Sequence, residues 1–88
     1  MQEVSMPIRS RVKVLLAERN LERARAGQGP VSLPQLAAAT GIAHSALRKL
    51  VNNQSTRIDF ETIDKLMQYF GTNTLDDILE YTPPDRPR

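Results

Sequence analysis

Apolar residues in this chain recur at helical spacing in five stretches, most of them bounded by a capping residue or a glycine. Ile8, Val12, Leu15 and Leu16 stand at i, i+4, i+7 and i+8, one face of a helix. The pattern runs on to Ala26 and stops at Gly27, which predicts a first helix of about 18 residues, roughly 27 Å long. Gly29 and Pro30 then form a loop before Val31.

Ser32 followed three residues later by Gln35 has the spacing of a capping box, so a second helix starts at about Leu33. Pro34 agrees, because its missing N–H is tolerated in a first turn, where that donor has no partner anyway. Leu36, Ala37 and Thr40 repeat at helical spacing, and Gly41 stands where a terminating residue takes positive φ. Ile42 is an apolar plug for the space between this helix and the next. A third helix runs from near His44 to about Asn52, with Leu47, Leu50 and Val51 on one stripe.

Asn52 to Arg57 is a polar loop in which Asn53 is a candidate left-handed terminator. Asp59 caps a fourth helix whose stripe of Phe60, Ile63, Leu66, Met67 and Phe70 is the strongest in the chain and the expected centre of the core. Gly71 ends it. Thr74 and Asp77 repeat the capping-box spacing and open a short fifth helix with Leu75, Ile78 and Leu79, which Pro83 and Pro84 prevent from extending. The expected fold is all-α, five helices and no strand, organised as a disordered lead-in over 1–7, one domain over 8–81 and a flexible tail over 82–88.

The short helix, glycine corner, apolar plug and second short helix between Ser32 and Asn52 read as a helix-turn-helix. On the third helix His44, Ser45, Arg48, Lys49 and Asn52 fall at i, i+1, i+4, i+5 and i+8, so all five project from the side away from the apolar stripe. These residues are rich in donors and include no acid. A helix with such a face fits the major groove of duplex DNA, whose base edges offer acceptors to Arg and Lys. The plainer reading is that any surface helix has a polar face; the glycine corner and its plug argue against stopping there.

A chain of 88 residues makes one domain, too small for a separate sensor or catalytic unit. It has no Cys, which excludes disulfides, thiolate chemistry and cysteine-rich zinc sites and suits a reducing cytoplasm. No apolar run approaches the roughly 20 residues of a membrane span, and no signal-peptide core stands at the N-terminus. The expectation is a soluble, cytoplasmic protein without membrane contact. Net charge is only +2, but it is unevenly spread: Ile8–Ala26 carries six basic and two acidic residues, 44–57 carries Arg48, Lys49 and Arg57 with no acid, and 58–81 carries six acids against Lys65 alone. That layout suits a module that faces phosphate with its basic part and holds its acidic part away.

Catalysis finds little support. His44 is the lone histidine and lies on a polar face, and Asp59, Glu61, Asp64, Asp76, Asp77 and Glu80 show no EF-hand or His-carboxylate spacing. No enzyme activity, metal or cofactor is expected.

From Ile8 to about Pro84 the chain resembles the Cro/repressor-type, lambda-repressor-like helix-turn-helix domains. Besides the corner itself, Arg57-Ile-Asp-Phe-Glu-Thr-Ile-Asp-Lys-Leu66 and Leu75-Asp-Asp-Ile-Leu-Glu-Tyr81 carry the likeness. The resemblance implies a five-helix domain that places its second motif helix in the major groove, usually as a homodimer on a two-fold-symmetric operator. It places His44, Ser45, Arg48 and Lys49 as readers of base edges, and Gln35, Asn52, Asn53 and Arg57 as contacts to the DNA backbone, with Gln54 in the same backbone-touching loop. Arg9 and Arg11 are further phosphate candidates, with plain surface charge as their alternative.

Three departures stand out. Leu33 occupies a position where the family often has a polar phosphate anchor. Ala43 stands where Ser or Thr often caps the recognition helix, which leaves the cap to His44 or Ser45. The Asn20–Val31 segment is longer than the usual link, and its neighbours Arg19, Arg23 and Arg25 either reach flanking phosphates or decorate an extended helix. The resulting expectation is a DNA-binding transcriptional regulator, a repressor acting by occupancy. Its alternative is an antitoxin or adaptor of the same fold that binds a protein partner, for which Val14, Leu21, Leu33 and Tyr81 are spare apolar residues.

Overall fold

The computed structural model describes residues 7–83, so the expected disordered lead-in and flexible tail lie, except for Pro7, Thr82 and Pro83, outside the described residues. In chain order the elements are β1 (Ile8–Ser10), α1 (Val12–Arg25), α2 (Leu33–Thr40), α3 (His44–Val51), α4 (Phe60–Phe70), a single 3-10 turn (Leu75–Asp77) and β2 (Leu79–Tyr81). The described residues thus hold four α-helices and a small antiparallel sheet rather than five helices.

Both differences arise at the two ends of the domain and share a cause. Ile8, Arg9 and Ser10 pair with Tyr81, Glu80 and Leu79, so the segment expected to open the first helix is drawn into a ladder instead. Thr82 N–H donates to the Pro7 carbonyl at 2.8 Å, and Arg11 N–H to the Ile78 carbonyl at 2.7 Å, which extends the pairing at either side. The helix then begins at Val12, whose N–H donates to Ser10 Oγ at 3.0 Å. At the other end Thr74 does not cap: its hydroxyl donates to Asp77 Oδ2 at 3.3 Å. Asp77 and Ile78 N–H donate three residues back, to Thr74 and Leu75, closing one tight turn. A single turn lacks the length to propagate as an α-helix, and Leu79–Tyr81 gains more from the ladder.

The core is built from Val12, Leu36, Ile42, Leu47, Leu50, Leu66 and Ile78, with Leu15, Leu16, Leu33, Met67, Phe70 and Leu79 packed around it. Four helices and the final turn each contribute, which is how a chain this short closes one apolar centre. Phe60 departs from expectation: the helix it opens buries Ile63 and Leu66, yet Phe60 itself is 89% exposed. Ile8 is exposed as well, and so are Val14, Leu21 and Tyr81, whereas Leu33 is partly buried against the core.

The long link between α1 and α2 is fixed by Asn20. Its Nδ2 donates to the Val31 carbonyl at 3.1 Å and its Oδ1 accepts from Val31 N–H at 2.8 Å, a two-point clamp across the loop. Arg23 Nε donates to the Gly29 carbonyl at 2.6 Å. Arg19 lies over the Tyr69 and Phe70 rings at 5.1 and 5.6 Å and donates to the Tyr69 carbonyl at 3.3 Å, so it fastens α1 to the end of α4. These two arginines hold the scaffold together.

Candidate nucleic-acid interface

The corner is specified within a few residues. Gln35 N–H donates to Ser32 Oγ at 3.3 Å and Ser32 N–H to Gln35 Oε1 at 2.8 Å, so both halves of the capping box are present. Pro34 sits in the first turn and Gly41 ends α2 with φ of 78°. Thr40 adds a staple that spacing alone did not announce: its hydroxyl donates to the Leu36 carbonyl at 2.8 Å and accepts from Ile42 N–H at 3.2 Å. Ile42 is thereby turned inward and buried between the helices.

α3 starts at Ala43, which has extended backbone and makes no side-chain cap bond. Neither His44 nor Ser45 takes over the cap, since both stand inside the helix rather than at the flanking position. Leu47 and Leu50 face the core, and His44, Ser45, Arg48, Lys49 and Asn52 are all exposed. Asn53 ends the turn after α3 with φ of 56°. Its Oδ1 accepts from Ser10 N–H at 2.9 Å, which ties β1 to the end of α3.

An open groove of about 320 Å³ runs between α3 and the following loop, lined by Ser45, Ala46, Lys49, Gln54, Ser55, Thr56 and Arg57. It gathers two cations, an amide and three hydroxyls, without an acid. Ser45, Lys49 and Arg57 are brought together here. Gln54, expected in the loop, and the Ser55–Thr56 pair, not singled out in the sequence, join them; a polar loop with a left-handed Asn53 was legible, but not that it folds back beside α3. Gln54 N–H donates to the Lys49 carbonyl at 2.8 Å, which folds the loop back onto the helix.

The other expected contacts lie around this groove on separate elements. His44 and Arg48 share the exposed side of α3, at the helix start and in its last turn. Arg9 is exposed on β1, opposite Glu80 in the sheet. Arg11 is half-buried, and one of its donors, Nη1, is committed to the Asp77 carbonyl at 3.0 Å. Gln35 is exposed, but its Oε1 is engaged in the cap.

Two carboxylates at the start of α4 are engaged within the helix itself. Asp59 Oδ1 accepts from Thr62 N–H at 2.8 Å, and Glu61 pairs with Lys65 at 3.3 Å. Hydrogen bonding from Thr62, through its hydroxyl and then its backbone N–H, holds the Asp59 carboxyl below its ordinary 3.8, with Lys65 adding a smaller push.

A family model for the Cro/C1-type HTH DNA-binding domain matches residues 11–84. The chain belongs to that family. No curated protein and no solved structure gives a significant match. The Cro/C1-type assignment makes α2, Gly41 and α3 the helix-turn-helix of a DNA-binding domain, in a family of regulators that are not normally enzymes. The match begins at Arg11, after β1, and spans the corner, the polar loop and α4. No helix among the described residues is long and apolar enough to cross a membrane.

Proposed function

We propose that this Cro/C1-type domain, residues 8–81, is a sequence-specific transcriptional repressor that works in the cytoplasm as a homodimer on two-fold-related half-sites. The observation that carries this reading is the exposed, acid-free side of α3, continued by Lys49 and Arg57 into the polar groove. α3 lies in the major groove, where Ser45, Arg48 and Lys49 reach base edges and His44 reaches the edge nearest the helix start. Arg9, Gln35, Asn52, Asn53 and Arg57, with the remaining donors of Arg11, hold phosphates and set the register. Occupancy excludes polymerase.

Two features favour these roles over plain surface charge. The cap position of α3 is an alanine, so Ser45 and His44 keep their polar atoms free for DNA. Arg19 and Arg23, by contrast, are engaged with Tyr69 and Gly29, and receive no DNA role.

Selection from randomised duplexes, repeated across salt concentrations, tests the proposal. The expected outcome is an enriched pair of half-sites and a binding constant that falls with log salt at a slope of about −5 for six charged phosphate contacts per dimer. A flat sequence profile overturns the specific repressor. Exposed Val14 and Leu21 on α1 favour the second reading, a partner-binding antitoxin or adaptor, and capture of a protein partner without any duplex preference would establish it.

A further inference from the structure

Two unexplained features lie beside one another next to the DNA-facing loop. The first is a cleft of about 190 Å³ between the sheet and the loop after α3, with Ile8 and Leu79 on one wall, Leu50 and Ile58 on the other, and Arg9 and Arg57 among its lining residues. The second is Phe60, two residues beyond Ile58, whose ring is 89% exposed at the start of α4. A fully exposed phenylalanine leaves a large apolar surface in water, and an apolar cleft does the same in negative relief.

The geometry points to mutual insertion: in a two-fold dimer, Phe60 of each copy fills the cleft of its partner. Size agrees, since an apolar cavity of about 150 Å³ takes up a benzene ring. Charge agrees as well. Phe60 is flanked by Asp59 and Glu61, whereas the cleft lining includes Arg9 and Arg57 and no acid. Phe60 follows the cleft residue Ile58 by two positions, so plug and cleft are close along the chain, and one two-fold axis between them satisfies both pairs at once, as an isologous contact requires.

The interface is small. Each phenylalanine contributes on the order of 150–250 Å², so two plugs and their clefts fall below the roughly 1,200–2,000 Å² of a stable complex. The dimer is therefore concentration-dependent in solution and is tightened by a duplex that holds both half-sites. The inference rests on the homodimer reading above and identifies its surface.

Sedimentation velocity over a concentration series, with thermal melts as the folding control, decides it. Wild type is expected to shift from monomer toward dimer by about 1 mM, and Phe60→Ser to weaken association by roughly tenfold or more without lowering the melting temperature. Ile8→Glu, which alters the cleft wall at an exposed position, is expected to do the same. A mixture of the two variants retains one intact plug and cleft per heterodimer, and should associate more strongly than either alone. Leu21→Ser, on the exposed side of α1, should change nothing.

If Phe60→Ser dimerises like wild type, or if Leu21→Ser is the variant that dissociates, this interface is wrong while the homodimer reading survives. A wild type that remains monomeric even on a duplex with two half-sites overturns both. Binding of Phe60→Ser to a single half-site duplex reads DNA recognition separately, and should match the wild-type monomer.

Discussion

Replacing Asn20 by Ala removes both ends of the clamp on Val31, the Nδ2 bond to its carbonyl at 3.1 Å and the Oδ1 bond from its N–H at 2.8 Å. Each intramolecular hydrogen bond is worth about 1 kcal/mol net, so the loss is about 2 kcal/mol. Both bonds are partly shielded from water, which limits how well solvent replaces them. For a domain of this size, that magnitude lowers the melting temperature by about 8–16 °C. Asn20→Asp retains the acceptor but sets a carboxylate oxygen against the Val31 carbonyl in place of the donor, so it should lose at least about 1 kcal/mol.

Urea titrations followed by circular dichroism measure both values, and an unchanged slope shows that the native and unfolded states have kept their compactness. DNA affinity measured well below the transition should match wild type, because Asn20 acts on the loop behind α2 and not on α3. A loss under about 0.5 kcal/mol in Asn20→Ala, the range of an ordinary surface substitution, would refute the claim that this side chain fastens the link.

Lys49→Ala should weaken specific binding by about 1–3 kcal/mol and relax preference at one base position, with melting unchanged, as read by competition against operator variants. A uniform loss across all sequences would reassign Lys49 to phosphate. Gly41→Ala should destabilise by about 1–2 kcal/mol in urea melts, since φ of 78° is strained for alanine while the nearest atom to its Cβ, Lys65 Nζ, is 3.8 Å away; a neutral result would mean that the corner relaxes. Asp59 has a lowered native pKa, so its charged cap contributes fully above the unfolded value near 3.8 and is lost as pH falls through the lower native value. Asp59→Asn should therefore flatten the acid limb of a melting-temperature profile below about pH 4, and an unchanged limb would show that the charge does not matter there.

The parts of the fold that were legible in the sequence depend on neighbours within a few residues. Ser32 with Gln35, Gly41, Ile42, Asn53, Asp59 and Gly71 each act on their own turn, and each occupies the position that its chemistry required. The sheet was hidden because Ile8–Ser10 is defined by Leu79–Tyr81, and a three-residue strand has no periodicity of its own. Phe60 shows a different limit. Spacing gives the side of a helix on which a residue lies, but not how far along the axis its neighbours extend, and at Phe60 in the first turn of α4 they leave the ring in water. The site divides in the same way: the face of α3 and the left-handed Asn53 follow from local geometry, whereas the approach of Gln54, Thr56 and Arg57 depends on how the loop folds back, with Gln54 N–H on the Lys49 carbonyl.

The contact between Asn53 and Ser10 sets an order of events during synthesis. Among the described elements β1 leaves the ribosome before the helices and β2 after them, so helices α1 to α4 can pack while β1 still lacks its partner. Only after Tyr81 has emerged does the strand gain its full register and, through Ser10, a firm hold on the end of α3. A nascent chain halted before Leu79 would carry a formed helix-turn-helix whose second helix is loosely held, so the anchoring of α3 waits for residues almost thirty positions further along the chain.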